Sequence, residues 1–404
     1  MTLALPLFRN RNFLLIWCSS ILGNLALAVA TLSETWFVVK TLDAKAQLGY
    51  VMIAGSVPRI ALMAFGGVLA DRMQRGRIIQ ISLSTRVALM LVLVGLLWAG
   101  HLNIWTMTAF AFIYGGLDAF FWPARDALLP SIVPDQDLPR ANSIMLTTNQ
   151  IGLVFGPVLG GALLALLNYE WVFVDTAILL AAGTACVALV QEPPLMRHGE
   201  GRHVLHELAE GLRYALSSPV LSALMIIYAI ANLLFMGPLA LGVPIVASDN
   251  LHGNASVLSF LQSAFATGMV TGGILLTLFP PRRKRLLMIA LVIVVEGVLI
   301  GSLSHVTWLP LALLIQFLTG LGVVSNNVPM MSLIQQYTDR SKIGRVMSLN
   351  TMASMGLSPL SYAMMTGLLS LHIGIGWSMP VMGLTMSALM LVLVWGLPAV
   401  RSVD

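Results

Sequence analysis

Twelve long apolar runs, parted by short polar breaks, make up the hydrophobic pattern of the chain. A bilayer core about 30 Å thick is crossed by roughly 20 mostly apolar residues in a helix, so each run predicts one spanning helix. The first six are Phe13 to Val39, Leu48 to Ala70, Ile78 to Ala99, Ile104 to Leu128, Ala141 to Leu167 and Trp171 to Val190. The second six are Val220 to Ala247, Val257 to Phe279, Leu286 to Leu303, Leu309 to Ile334, Val346 to Leu371 and Trp377 to Leu397. The short alternating segments of a transmembrane barrel are missing, which predicts an all-α membrane protein. The first run is too long for a cleaved signal peptide and lacks a clean small-residue cleavage site.

One long polar interval, Glu192 to Pro219, parts the sixth run from the seventh. It predicts an N-terminal six-helix bundle over 1–191, a cytoplasmic linker over 192–219 and a C-terminal six-helix bundle over 220–404. Within the linker, Val204, Leu205, Leu208, Leu212, Ala215 and Leu216 recur at spacings of three and four, with Glu207, Glu210 and Arg213 on the other face. That spacing predicts an amphipathic helix on the cytoplasmic membrane surface.

Composition sharpens this picture. Of 404 residues, 58% are apolar and 10% charged, against about 25% charged in soluble domains. A soluble enzyme, a nucleic-acid module and a disordered scaffold are excluded. The net charge of +5 is spread between the apolar runs rather than gathered in a patch, so no nucleic-acid partner is expected. Eighteen of the 22 basic residues, from Arg9 and Arg11 to Arg401, fall on the side of the N-terminus, the even-to-odd loops and the C-terminus. The opposite loops hold only Lys40 and Lys45, so both termini are expected in the cytoplasm. Cys18 and Cys186 lie inside apolar runs, which leaves no disulfide framework. His101, His252, His305 and His372 are scattered in or beside outer loops. No Walker motif, nucleophile elbow or metal constellation occurs, so neither enzymatic chemistry nor a cofactor is expected.

The two halves echo each other. Pro123 and Pro329 sit at equivalent points of the fourth and tenth runs, and Asp135 to Arg140 with Ser143 is mirrored by Asp339 to Arg345 with Ser348. Duplicated six-helix halves point to a transporter whose substrate sits between them near the midplane.

Two motifs name a family. Gly67-Val-Leu-Ala-Asp71-Arg72-Met-Gln-Arg75-Gly-Arg77 resembles the cytoplasmic signature of the major facilitator superfamily, G-x-L-A-D-R-x-G-R-R, with Gln74 and Gly76 departing from it. The resemblance implies a cytoplasmic gate built on Gly67, Asp71, Arg72 and Arg75, and Asp126 is the expected partner of the arginines. Gly152-Leu-Val-Phe-Gly156-Pro157-Val-Leu-Gly160-Gly161 matches the G-x-x-x-G-P-x-x-G-G pattern of drug/proton antiporters. Its small residues every four positions make a strip for close helix packing. Leu7 to Phe13, Asp118 to Ala124 and Glu210 to Tyr214 are similar to the subfamily of macrolide-efflux and enterobactin-exporter-like proteins. The arginine that many proton antiporters carry within the fourth span is absent, since Arg125 lies at its inner end.

An ionisable group inside a span costs roughly 2.5–3.5 kcal/mol on insertion scales and so needs a reason. The resemblance puts the first and fourth helices around the cavity, which makes Glu34 and Asp118 the expected proton-carrying carboxylates and Arg59 their ion-pair partner. Asp175, Arg86 and Glu296 fall on helices that are peripheral in the superfamily, where structural pairing or snorkelling is expected. Asn24, Trp36, Phe121, Trp122, Asn232, Phe235, Gln262, Gln316, Asn326 and Asn327 are the expected cavity residues, aromatic faces and amides suited to amphiphilic ligands. The expected function is efflux of amphiphilic small molecules in exchange for protons, by a monomer in the cytoplasmic membrane. Export of one metabolite such as a siderophore is the alternative, and a non-transporting receptor or scaffold a more distant one.

Overall fold

A computed structural model gives the fold. It describes residues 5–192, 213–281, 283–339 and 342–396. Most of the expected amphipathic linker helix, 193–212, lies outside the described residues. Every regular element among them is a helix. In the N-terminal part these are α1 (Leu5–Arg9), α2 (Arg11–Trp36), α3 (Leu48–Arg72), α4 (Arg75–Trp98), α5 (Ile104–Ile132), α6 (Leu138–Leu166) and α7 (Tyr169–Ala188). The C-terminal part follows with α8 (Pro219–Gly237), α9 (Val243–Asp249), α10 (Ala255–Leu278), α11 (Arg285–Leu303), α12 (Leu309–Tyr337), α13 (Ile343–Ser370) and α14 (Ile375–Gly396). Among the described residues, ten helices are long and apolar enough to cross a membrane. Their outward faces stay apolar, as at Leu91, Phe155, Leu278 and Val392, all exposed. A surface of that kind needs hydrocarbon rather than water as solvent. The protein is a multi-pass membrane protein.

Local chemistry sets where the helices begin. Asn10 caps α2 by accepting the Phe13 N–H at 3.2 Å, and its own amide donates to the Ile132 carbonyl at 2.7 Å. Two residues on, Asn12 forms a reciprocal pair with the Gln191 backbone, donating at 2.9 Å and accepting at 3.1 Å. The opening Leu7 to Phe13 segment thus fastens α2 to the ends of α5 and α7. Asn103 and Thr106 form a capping box on α5, and Asn254 accepts from Ser256 and Val257 at the start of α10. The seventh apolar run is not one continuous α-helix as expected. A π turn over Pro238–Gly242 divides it into α8 and α9. Pro238 and Pro244 lack the N–H of an α ladder, and a wider turn relieves the clash of the proline ring with the preceding turn.

The chain divides into two compact units, Met1–Leu42 with Ala54–Gly201, and Asp43–Ile53 with Arg202–Asp404. The first turns of α3 thus belong to the second unit. In the first unit α2 packs on α6 and α7, and α4 on α5 and α7. In the second, α8 packs on α13 and α14, and α11 on α12 and α14. Taking α2 to α7 in order, and α8 to α14 in order with α8 and α9 counted as one run, the same ordinal pairs recur, so the duplication hinted at by Pro123 and Pro329 is a duplication of packing.

The repeat extends to a helix crossing at glycine. A Cβ on Gly115 of α5 would fall on the Gly55 carbonyl of α3, and one on Gly320 of α12 would fall on the Phe265 carbonyl of α10. Backbone cannot step aside as a side-chain tip can, so Gly115→Ala and Gly320→Ala are each expected to cost about 1–3 kcal/mol through overpacking. At the neighbouring Gly116 a Cβ meets only Leu62 Cδ1 at 3.5 Å and Pro58 Cβ at 3.8 Å. Gly116→Ala should therefore leave the unfolding midpoint in detergent unchanged or raised, while the other two lower it.

Candidate functional site

Asp118, on α5 of the first unit, is 1% exposed. Arg86 of α4 approaches its Oδ1 to 2.8 Å, and Arg59 Nε of α3 stands 3.0 Å from Oδ2. Trp122, one turn along α5, donates its indole N–H to Oδ2 at 3.2 Å. The Arg86 guanidinium also lies over the rings of Tyr114 and Phe121, at 4.8 and 5.3 Å from their centroids. This lays cationic charge on aromatic faces. A buried carboxylate is held here by two cations and a neutral donor. The side chain of Arg86 is 5% exposed and that of Arg59 38%, so Arg86 is locked while Arg59 keeps room to move.

Glu34, near the end of α2, differs. Among the described residues its side chain makes no ion pair and no hydrogen bond, yet Tyr114 lies within electrostatic reach of Glu34 as well as of Arg86 and Asp118. Asp118, Arg86, Arg59 and Tyr114 thus form one cluster, and Glu34 is half-buried in its neighbourhood. Sequence reasoning placed Glu34, Asp118 and Arg59 together and left out Arg86 and Tyr114. Its helix alone points Arg86 to the periphery.

The glycine motif of α6 packs against α2, the helix that carries Glu34. A Cβ on Gly152 would meet Asn24 Cβ at 3.4 Å, one on Gly156 would collide with Ala28 Cβ, and one on Gly160 would sit 3.0 Å from Leu32 Cδ2. Gly161 is buried too, and Pro157 lies within the same helix. Asn24 donates to Asn149 Oδ1 of α6 at 2.6 Å, which turns this expected cavity amide toward a helix contact. Trp36 is buried, with Lys40 5.8 Å over its ring, and Phe121 is buried beside Trp122.

At the expected gate, the side chains of Gly67, Asp71 and Arg72 lie outside the described residues. Arg75 and Gly76, the first two residues of α4, donate their backbone N–H groups to the Glu192 carboxylate at 3.1 and 2.9 Å. An anion there satisfies orphan donors and complements the helix dipole. Asp126 is bonded by its neighbour Arg125 at 2.8 Å. The Arg125 guanidinium lies 4.3 Å from the Trp122 ring.

In the second unit, Asn232 and Phe235 of α8 and Asn326 and Asn327 of α12 line one pocket of about 140 Å³, together with Glu296 of α11. Gln316 is buried with Oε1 unpaired, and Gln262 is half-buried; neither lines that pocket. Tyr214, from the last linker motif, accepts the Asp339 N–H at 3.1 Å and lies under Lys342, 4.3 Å from its ring centre. It ties the end of the linker to the turn between α12 and α13.

Lys45, in the segment before α3 that belongs to the second unit, binds Asp249 Oδ1 at 2.9 Å and Asp43 at 3.4 Å. The Asp249 hydrogen bond holds the Lys45 ammonium above its ordinary range, against a smaller effect of partial burial. Folding therefore tightens its proton. The stabilisation is complete below about pH 10.4, the free lysine value, and is lost as pH rises through the higher folded value. With side chains 33% and 38% exposed, the pair is worth about 0.2–1 kcal/mol. Lys45→Met should lower the unfolding midpoint slightly at pH 7 to 9, and the gap to wild type should close well above pH 10.4.

Known proteins resemble the chain over most of its length. It is 24% identical over 365 residues to macrolide efflux protein A of Streptococcus pyogenes, covering 89% of this chain and 88% of that one. Identity to the multidrug efflux pump Tap of Mycolicibacterium fortuitum is 25% over 412 residues, 97% of each chain. The enterobactin exporter EntS of Escherichia coli is 29% identical over 231 residues, 55% of this chain and 53% of that one. Among solved structures, the nucleoside transporter NupG superposes with a TM-score of 0.74 at 12% identity, over 96% of this chain and 99% of that one. The family model of the Major Facilitator Superfamily matches residues 13–361. Relatives and fold alike are those of transporters and not of enzymes. With that match spanning most of its length, and with a packing pattern repeated in its two units, the chain belongs to the major facilitator superfamily.

Proposed function

We propose that the protein is a secondary active exporter of amphiphilic, drug-like small molecules, driven by inward flow of protons through alternating access. It crosses the cytoplasmic membrane twelve times with both termini inside and works as a monomer. The observation that carries this reading is the inequality of two carboxylates in one unit: Asp118 is neutralised by Arg86 and Arg59, and Glu34 has no cation among the described residues. Taking a carboxylate out of water disfavours its charge unless a cation or a proton compensates it. Glu34 is thus the proton carrier. Its charge is felt at Tyr114 beside the Asp118 network, so loading and unloading Glu34 changes the field on Arg59, the looser of the two arginines. In that way a proton biases the helices α3 and α5 between two arrangements. The gate residues Gly67, Asp71, Arg72 and Arg75 close the cytoplasmic side, and the α6 glycine motif seats α2 against α6.

The direction of transport is supported by relatives named as efflux proteins along 89% and 97% of the chain. Likeness to an enterobactin exporter over 55% of the chain favours a second reading, selective export of a siderophore-like metabolite. Everted membrane vesicles separate the two. A panel of a macrolide, ethidium and a catecholate siderophore, with accumulation followed as the pH gradient is imposed and then collapsed, should show gradient-dependent uptake of the first two. Uptake of the siderophore alone favours the second reading. Uptake of none of the three contradicts both.

A further inference from the structure

Glu296 lies twelve residues into α11, as Arg86 does in α4, but unlike Arg86 it has no charged partner among the described residues. It is 3% exposed. Asn326 donates to Oε1 at 2.7 Å, and Oε2 takes no hydrogen bond or ion pair among the described residues. The elements packed against α11, namely α8, α12, α14 and the Pro238–Gly242 turn, contain no Asp, Glu, Lys, Arg or His. Tyr228 of α8 faces Glu296 across the pocket they both line, and Arg283 and Lys284, just before α11, line a second cavity of about 560 Å³ that Glu296 also borders. The basic residue on its own helix, Arg285, is eleven positions away, about 16 Å along the axis.

The chain makes room for this acid. A Cβ on Gly322 of α12 would stand 2.7 Å from Glu296 Oε1, so glycine there leaves the carboxylate its place. Its pocket of about 140 Å³ has Tyr228 and Phe235 as aromatic walls and Asn232, Asn326 and Asn327 as amides. That volume suits a head group and not a whole drug. A carboxylate with no cation of its own, beside two aromatic rings, is the arrangement that receives an ammonium.

We propose that Glu296 and its pocket form a binding site for organic ammonium cations, with the cation exchanging against a proton on the Glu296 carboxylate. The step is a simple exchange: the proton leaves Oε2 for water as the cation arrives, and no covalent bond of the ligand changes. This assignment rests on the exporter reading and narrows its substrates to amphiphiles bearing a positive head group.

Equilibrium binding to the purified full chain in detergent tests it, with ethidium as the cationic probe and Nile red as a neutral one. Wild type is expected to bind both, and ethidium more tightly at pH 8 than at pH 5. Glu296→Gln should weaken ethidium at least about tenfold, which is about 1.4 kcal/mol, and leave Nile red unchanged. Glu296→Asp should keep part of the affinity. Asn327→Lys, which sets a cation in the pocket beside an intact Glu296, should also abolish ethidium binding and carries the test if Glu296→Gln fails to fold. Wild-type ethidium binding in both neutral and lysine variants, equal losses for both probes, or no ethidium binding by wild type would each overturn the proposal. Binding without gradient-driven transport would instead sink the exporter reading and leave the site standing.

Discussion

Asp118→Asn is expected to lower folding stability by about 3–5 kcal/mol, the usual loss when one member of a buried ion pair is removed. The loss comes from Arg86. Its guanidinium sits 2.8 Å from Asp118 Oδ1 with a side chain 5% exposed, and asparagine leaves that cation in hydrocarbon without a countercharge. Arg59 contributes less, because its side chain is 38% exposed and the protein encloses its charge less completely. The Trp122 contact survives, since an asparagine carbonyl still accepts the indole N–H. A double variant, Asp118→Asn with Arg86→Met, removes both buried charges and should regain most of the loss. Unfolding midpoints of wild type, both single variants and the double variant complete the cycle. A midpoint for Asp118→Asn equal to that of wild type would mean the network does not hold α4 to α5.

Glu34→Gln should have the opposite profile. Glutamine keeps the shape of the side chain, and no cation is orphaned because none was paired with it. Stability should stay within about 0.5 kcal/mol of wild type. Transport is where the effect appears: gradient-driven efflux falls at least about tenfold, while exchange of labelled for unlabelled substrate continues, because binding and the conformational cycle are intact. Loss of exchange together with efflux would make Glu34 a structural or substrate-binding residue. The contrast between the two acids, one failing in stability and the other in coupling, separates a fixed counterion from a proton carrier.

What the sequence made legible follows from the range of each interaction. The spacing of Gly152, Gly156 and Gly160 is a property of a single helix, so their use as a packing strip could be read directly, although the partner residues Asn24, Ala28 and Leu32 could not. Asn10 and Asn12 stood out as a motif, but their targets at Ile132 and Gln191 lie more than a hundred residues away. Arg86 and Asp118 are 32 residues apart on adjacent helices. Nothing in either helix alone reports which face meets which, because both are apolar all round and carry no stripe to orient them. Glu296 was assigned to the periphery for the same reason. Its helix was judged by rank in the bundle, whereas Gly322 and Asn326 on α12 turn its carboxylate inward. The expected pairing of Asp126 with the gate arginines rested on proximity to the cytoplasmic end of α5. Arg125, one position away, bonds Asp126, Glu192 takes the backbone N–H groups that open α4, and the Arg72 side chain lies outside the described residues.

The central claim is that substrate leaves as protons enter, through Glu34. Sealed proteoliposomes containing the full chain and a trapped pH-sensitive dye, with no gradient imposed, test it most directly when a macrolide is added outside. Inward movement of the macrolide should drive protons out and raise the internal pH, and Glu34→Gln should cut the pH change to what exchange at Glu296 alone carries. Macrolide uptake with no movement of protons in the wild-type protein, or an unchanged proton signal in Glu34→Gln, would contradict it.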